Sequence, residues 1–249
     1  MTTDPVRPAL EGRSIAVVGA SSGIGLACVR LASADGARVV AGSRSPERMR
    51  QAAESLGELD HRVRWQGVDV QDPRQLAALF ELAAPVDLIV LCATGAERAT
   101  GPFMEMDMDG FRGSFGKLWG YANGIQQGVP HLTPEGAVML VGGAVARKCP
   151  PGMLAISTVG NAVEGFCRAL AAEIAPRRVN VVAPGTIDTG MFEALPEDRR
   201  QELFRRAAAG VPLGRVGRPE DVARAILAVG DNAYMTGTTV DVDGGFLLP

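Results

Sequence analysis

A chain of 249 residues with 47% hydrophobic content can bury one sizeable core, and α/β domains of this length are commonly single units. Its net charge of -3 provides no broad positive field, which argues against a nucleic-acid partner despite the many arginines, and no apolar run reaches the roughly 18 residues that span a bilayer. Cys28, Cys92, Cys149 and Cys167 fit no zinc or CxxC spacing and read as reduced, packed thiols, His61 and His131 are too isolated for a metal site, and Met1 to Gly12 lacks the charged and apolar halves of a signal peptide, so a cytoplasmic location is expected.

The β-branched run Ser14 to Val18 breaks into Gly19-Ala20-Ser21-Ser22-Gly23-Ile24-Gly25 and resumes as a helical pattern from Leu26 to Ala32. A strand, a glycine turn and a helix in that order aim free amide groups at an incoming phosphate. Gly19 lets the strand turn, Gly23 lets backbone approach a pyrophosphate, and Gly25 lets the helix sit close on the sheet. Taken alone, the pattern also fits a glycine-rich turn in another α/β domain. A second strand follows over Arg38 to Ser43, then a helix opened by Pro46 and ended by Gly57. His61 to Asp69 predicts a third strand, Pro73 to Ala84 a helix, and the nearly all-apolar Val86 to Cys92 a strand buried on both faces. Beyond lie a helix from Phe111 to Val129, a strand from Ala137 to Val141, a helix from Met153 to Ala175 and a strand from Val179 to Val182. Met191 to Gly210 reads as an amphipathic insertion, Pro219 to Val229 as a helix and Thr238 to Val242 as the last strand. This alternation predicts a single-domain, doubly wound parallel sheet with helices on both faces and ligands at the carboxyl ends of the strands.

From Leu10 to Phe246 the chain resembles the short-chain dehydrogenase/reductase family, which implies a Rossmann-like fold. Gly19 to Gly25 matches that family's TGxxxGIG except that Val18 replaces the threonine, and Asp69-Val70 follows the third strand where the family contacts the adenine. Pro184-Gly185-Thr186-Ile187-Asp188-Thr189 resembles the PGxxxT segment beside the nicotinamide. Arg218 to Ala223 and Met235 to Gly245 resemble the carboxyl-terminal signature, and the NNAG turn after the fourth strand becomes Cys92-Ala93-Thr94-Gly95. The resemblance thus implies cofactor contacts at Gly19, Ser21, Ser22, Gly23, Ile24, Gly25, Ser43, Arg44, Asp69, Val70, Cys92, Ala93, Pro184, Gly185, Ile187 and Thr189. A dinucleotide fold holding NAD usually ends its second strand with a carboxylate on the ribose hydroxyls, and that charge repels a 2′-phosphate. Here Ser43 and Arg44 stand at that strand end, and a guanidinium grips phosphate through two parallel hydrogen bonds. NADP(H) is therefore the preferred cofactor, with NAD(H) the alternative and a solvated Arg44 the plainer account of that residue.

The family's Asn, Ser, Tyr and Lys do not carry over. Asn161 to Phe166 resembles the residues after the YxxxK lysine, which places Ile156 at the tyrosine, Gly160 at the lysine and Gly143 at the serine. A shifted register does not restore the motif, because the tyrosines are Tyr121 and Tyr234, the lysines are Lys117 and Lys148, and no tyrosine precedes a lysine by four residues. General acid catalysis is worth about a hundred- to ten-thousand-fold, so a substitute donor matters. Lys117 falls where the family's helix supplies Asn, and an ammonium in a partly desolvated cleft can have its pKa brought toward neutrality. Tyr121, one helical turn away, pairs with it or packs into a subunit contact. Lys117 is otherwise a structural or salt-bridging residue. Ser157 and Thr158 read as capping or packing hydroxyls, while Arg147, Lys148 and Cys149 form either an anion-binding or a solvated loop. Residues 1–11 are expected as a flexible terminus and 186–215 as a substrate lid, with Met191, Phe192, Leu195, Leu203 and Phe204 on one apolar face or packed on the domain itself.

Three functions follow as expectations. The first is an atypical NADP(H)-dependent oxidoreductase acting on the carbonyl or alcohol of a small hydrophobic substrate, with a non-standard proton donor. The second is a non-redox cyclase, dehydratase or isomerase on the same scaffold, and the third a non-catalytic nucleotide-binding subunit. The resemblance further implies a homodimer or homotetramer joined through the helices that begin near Phe111 and Met153.

Overall fold

A computed structural model describes residues 10–94 and 98–249, so most of the expected flexible terminus and Gly95 lie outside the described residues. The chain alternates β1 (Ser14–Val18), α1 (Gly23–Ala34), β2 (Arg38–Ser43), α2 (Pro46–Leu56), β3 (Val63–Gly67), α3 (Pro73–Ala83) and β4 (Val86–Leu91). It continues through α4 (Met108–Ser114), α5 (Gly116–Gly128), β5 (Leu132–Val141), α6 (Val145–Lys148), α7 (Leu154–Glu173), β6 (Arg178–Pro184), α8 (Glu197–Ala209), α9 (Pro219–Asp231) and β7 (Thr239–Val242). The seven strands form one sheet in the order β3-β2-β1-β4-β5-β6-β7, every pairing parallel. The doubly wound α/β fold read from the chain is thus the fold observed.

Two-residue alternation along the strands divides the core. Ile15, Val17, Val39, Ala41, Leu88, Val90 and Met139 face α1 and α9, whereas Ala16, Val18, Val40, Ile89, Leu91, Val138 and Leu140 face α3, α5 and α7. Local chemistry sets the helix ends: Ser45 Oγ accepts from the Arg48 amide and Asp72 Oδ1 from the Arg74 amide, each followed by proline at the first helical position.

Three boundaries depart from expectation. The third strand is shorter, since Gly57–Arg62 forms a 3-10 turn before Val63. The fifth runs from Leu132, longer than its apolar half. The helix expected over Phe111 to Val129 is two, meeting at Phe115 (φ -73°, ψ -8°) between Gly113 and Gly116, where two glycines weaken helical continuity. After that break α5 presents Gly124 and Gly128 to β4 and Gly120 to Val70, and a Cβ at Gly128 would stand 2.6 Å from Ile89 Cδ1. This close seating sets how deep Lys117 lies.

Candidate functional site

Strand order reverses between β1 and β4, and a cleft of about 450 Å³ opens there at the carboxyl ends of the strands. Its first half is built from glycines. Gly19 leaves β1 at φ +86°, and a Cβ on it would stand 2.6 Å from the Ala93 amide nitrogen. A Cβ on Gly25 would stand 2.1 Å from the Gly19 carbonyl oxygen, so α1 rests directly on the turn that precedes it. Gly23, at φ +53°, faces the Thr189 methyl group, 3.1 Å from where its Cβ would be. Ser22, the N-cap of α1, makes no side-chain cap hydrogen bond, which leaves the amides of the first turn open toward the cleft. At the end of β2 the Ser43 and Ser21 hydroxyls are 2.7 Å apart, and Arg44 and Arg48 line the cleft without an ion pair among the described residues.

Fifteen of the sixteen expected cofactor residues line this cleft: Gly19, Ser21, Ser22, Gly23, Ile24, Gly25, Ser43, Arg44, Val70, Cys92, Ala93, Pro184, Gly185, Ile187 and Thr189. Asp69 is the exception. Its Oδ1 accepts from the Gln71 amide, 3.0 Å away, and the residue shapes the turn after β3 without reaching the cleft.

The second half is apolar, with Met153, Ile156, Met191, Phe192 and Phe246 around one buried cation. Lys117, on the first turn of α5, is 8% exposed, and its Nζ donates to the Gly142 carbonyl at 3.1 Å. Burial pulls this ammonium down to about 7, the Arg98 guanidinium adds to the effect, and Cys92 opposes it. Tyr121 does not share the cleft. Its hydroxyl donates to the Val141 carbonyl at 3.0 Å within the core beneath α5, and its ring carries Lys117 Nζ 5.6 Å from the centroid. The expected subunit contact is corrected as well, because the side chain is 1% exposed within its own domain. Burial raises the Tyr121 hydroxyl above the ordinary tyrosine range.

Gly143, Ile156 and Gly160 all line the cleft. A Cβ on Gly160 would stand 2.7 Å from Ala146 Cβ, so α7 packs on α6 at a distance that excludes a side chain, whereas one on Gly143 would meet nothing nearer than Val145 Cγ2 at 3.7 Å. The basic loop after β5 turns away. Arg147 bonds Asp241 and pairs with Glu164 at 3.2 Å, and Lys148 donates to the Phe246 carbonyl, which corrects the anion-binding alternative for that loop. Cys149 is exposed in the left-handed region at φ +49°, and not packed as expected, whereas Cys28 and Cys167 are buried. The Ser157 and Thr158 hydroxyls donate to the Val145 and Leu154 carbonyls, both at 2.8 Å. Of the amphipathic insertion, Met191 and Phe192 reach the cleft. Phe204 does not, and instead holds Phe192 edge-to-face with ring centroids 5.3 Å apart.

Two charged cleft residues escaped sequence reasoning. Arg48 stands on the first turn of α2, just beyond the strand end that holds Arg44, a placement that was readable. Arg98 had no signal, since it sits in irregular chain after β4 and enters only because its Nη1 reaches the Met191 sulfur at 2.8 Å. Among the described residues no cluster of His, Cys, Asp and Glu could hold a metal ion, and no helix is long and apolar enough to cross a membrane.

A family model described as Enoyl-(Acyl carrier protein) reductase matches residues 19–247. The 3-oxoacyl-[acyl-carrier-protein] reductase FabG of Thermotoga maritima is 33% identical over 250 residues, covering 96% of this chain and 99% of its own length. Among solved structures, the MalC reductase/Diels-Alderase from Malbranchea aurantiaca superposes with a TM-score of 0.89 at 26% identity, covering 98% of this chain and 99% of its own. An NADPH-bound short chain oxidoreductase from Pseudomonas aeruginosa, described as containing an atypical catalytic center, gives 0.86 at 28% identity, with 95% and 97% covered.

Proposed function

The chain belongs to the short-chain dehydrogenase/reductase family, and we propose that it is an NADP(H)-dependent oxidoreductase that acts on a carbonyl or alcohol of a small hydrophobic substrate, with Lys117 as proton donor. The observation that carries this reading is a single buried amine, poised near neutrality, in a half-cleft of mainly apolar side chains whose other charged lining residue, Arg98, is exposed. In this reading Gly143, Ile156 and Gly160 stand in place of the family's serine, tyrosine and lysine. Ile156 adds to the apolar wall and Lys117 holds the proton at Nζ.

The glycine cradle fits a dinucleotide, because Gly19, Gly23 and Gly25 leave space that side chains would fill, and the uncapped start of α1 suits a pyrophosphate. Arg44 and Arg48, with no acid at the end of β2, support a 2′-phosphate and hence NADP(H) over NAD(H). The NADPH bound in the Pseudomonas aeruginosa relative supports the same choice. Bound there, a nicotinamide would supply hydride. Lys117 would orient and protonate the substrate oxygen, its Nζ directed by the Gly142 carbonyl, while Tyr121 positions the amine from beneath. Met191 and Phe192, at the start of the 186–215 segment, would exclude water as the inner edge of a substrate lid. The reading also includes a cytoplasmic homodimer or homotetramer joined through α5 and α7, on which Trp119 and Leu154 are 61% and 40% exposed.

The test is fluorescence titration with NADPH and NADH, followed by nicotinamide absorbance with a panel of carbonyl compounds, on the wild type and Lys117→Met. Tighter binding of NADPH and turnover lost in the variant are expected. No saturable binding of either nucleotide would overturn the reading. One observation favours a second reading, a non-redox transformation on the same scaffold: the similarity to MalC, described as both reductase and Diels-Alderase. Product formation with the nicotinamide oxidation state unchanged would select it.

A further inference from the structure

Charge in the second half of the cleft is unbalanced. Among the described residues that line the cleft there are four cations, Arg44, Arg48, Arg98 and Lys117, and no Asp or Glu. Arg44 and Arg48 stand at the nucleotide end with the glycine turn, whereas Arg98 and Lys117 stand at the other end among Met153, Ile156, Met191 and Phe192. Lys117 has one neutral partner, the Gly142 carbonyl. Arg98 is exposed, and its Nη1 meets the sulfur of Met191, itself half exposed and only a weak, uncharged acceptor, at 2.8 Å. Arg98 is felt at Lys117, whose ammonium it helps to depress, and burial lowers Arg98 itself.

A guanidinium at an apolar cleft whose described lining holds no Asp or Glu is matched best by an anionic group. The features assigned above to the nucleotide phosphates, the glycine turn with Arg44 and Arg48, do not include Arg98. The apolar walls beside the pair suit a hydrocarbon body, and a planar guanidinium suits a carboxylate through two parallel hydrogen bonds. We propose that Arg98 is a specificity-determining residue that binds the carboxylate of the substrate next to the oxygen facing Lys117, which makes the substrate a hydrophobic oxo or hydroxy acid and not a neutral ketone or alcohol. This rests on the reading of the cleft as a substrate site, but not on redox chemistry or on the identity of the nucleotide.

The experiment uses an inert pair, benzoate and its neutral counterpart benzamide, titrated calorimetrically into the full chain with and without NADPH. One charge-assisted contact is worth about tenfold in affinity or more, so benzoate should bind at least about tenfold more tightly than benzamide. Arg98→Gln should bring the two to near equality with the NADPH dissociation constant unchanged. Arg98→Lys, which keeps the charge and loses the fork, should retain part of the preference. Equal binding of the two probes to the wild type, or a preference untouched by Arg98→Gln, would overturn the proposal. A benzoate preference that persists in protein unable to bind NADPH would uphold the subsite while removing the nucleotide reading.

Discussion

Replacing Lys117 with methionine should stabilise the protein at neutral pH while abolishing the activity proposed for it. The amine is 8% exposed, has one hydrogen bond, and is brought from 10.5 to about 7, first by burial and then by Arg98. At 1.36 kcal/mol per pH unit, that separation disfavours the charged form in the folded state by about 5 kcal/mol. The unfolded chain, whose lysine titrates at its ordinary value, binds more protons than the folded chain between those two values. Wild-type stability should therefore carry the full penalty below about pH 7 and recover as pH rises toward 10.5. Methionine has a similar length and no charge, but it leaves the Gly142 carbonyl without its donor, which costs about 1–3 kcal/mol. The variant should be more stable by about 3 kcal/mol at pH 6, and the advantage should vanish near pH 9. Urea unfolding of both proteins at pH 6, 7, 8 and 9 measures it. A stability difference that does not change with pH would refute the reasoning, because it would mean that the amine titrates alike folded and unfolded. Wild-type turnover should meanwhile fall as pH rises through about 7, as the donor proton is lost.

The nucleotide half of the cleft yields two further expectations. Gly25→Ala places a Cβ 2.1 Å from the Gly19 carbonyl oxygen, so α1 must move, and a loss of about 1–3 kcal/mol in unfolding free energy with weakened NADPH binding is expected. Gly113→Ala, where nothing lies within 4 Å, is the control and should be neutral or stabilising by up to about 1 kcal/mol. Arg44→Ala and Arg48→Ala should each weaken NADPH by about tenfold and leave NADH unchanged in fluorescence titration. Equal losses for both nucleotides would remove the 2′-phosphate from the account. Tyr121→Phe removes the bond to the Val141 carbonyl and should lower stability by about 1–2 kcal/mol in urea with NADPH affinity intact. Turnover should fall as well, because the ring beneath Lys117 loses its anchor, and unchanged turnover would contradict its assignment as a positioning residue.

The order of elements was legible because strand and helix patterns are local. The apolar runs of β1 and β4, the prolines opening α2, α3 and α9, and the glycine ending α2 each report their own backbone geometry. Gly19, Gly23 and Gly25 were readable for the same reason, since a strand-to-helix turn that approaches other backbone needs residues without a Cβ. The positions of two tyrosines and two lysines also established that no YxxxK pair exists in any register. What a charged side chain does is a different kind of fact. Lys117, Lys148, Arg98 and Arg147 are equivalent in one dimension, yet the fold buries the first, ties the second to Phe246, turns the third toward Met191 and pairs the fourth with Asp241 and Glu164. Tyr121 likewise shares a helical face with Lys117 but points beneath the cleft, because the glycines of α5 seat the helix against β4 and bring its hydroxyl to the end of β5. Chain pattern fixes backbone geometry over a few residues. Solvation and countercharge are set by atoms tens of residues away, so the tertiary structure alone decided which cations remain available to a ligand.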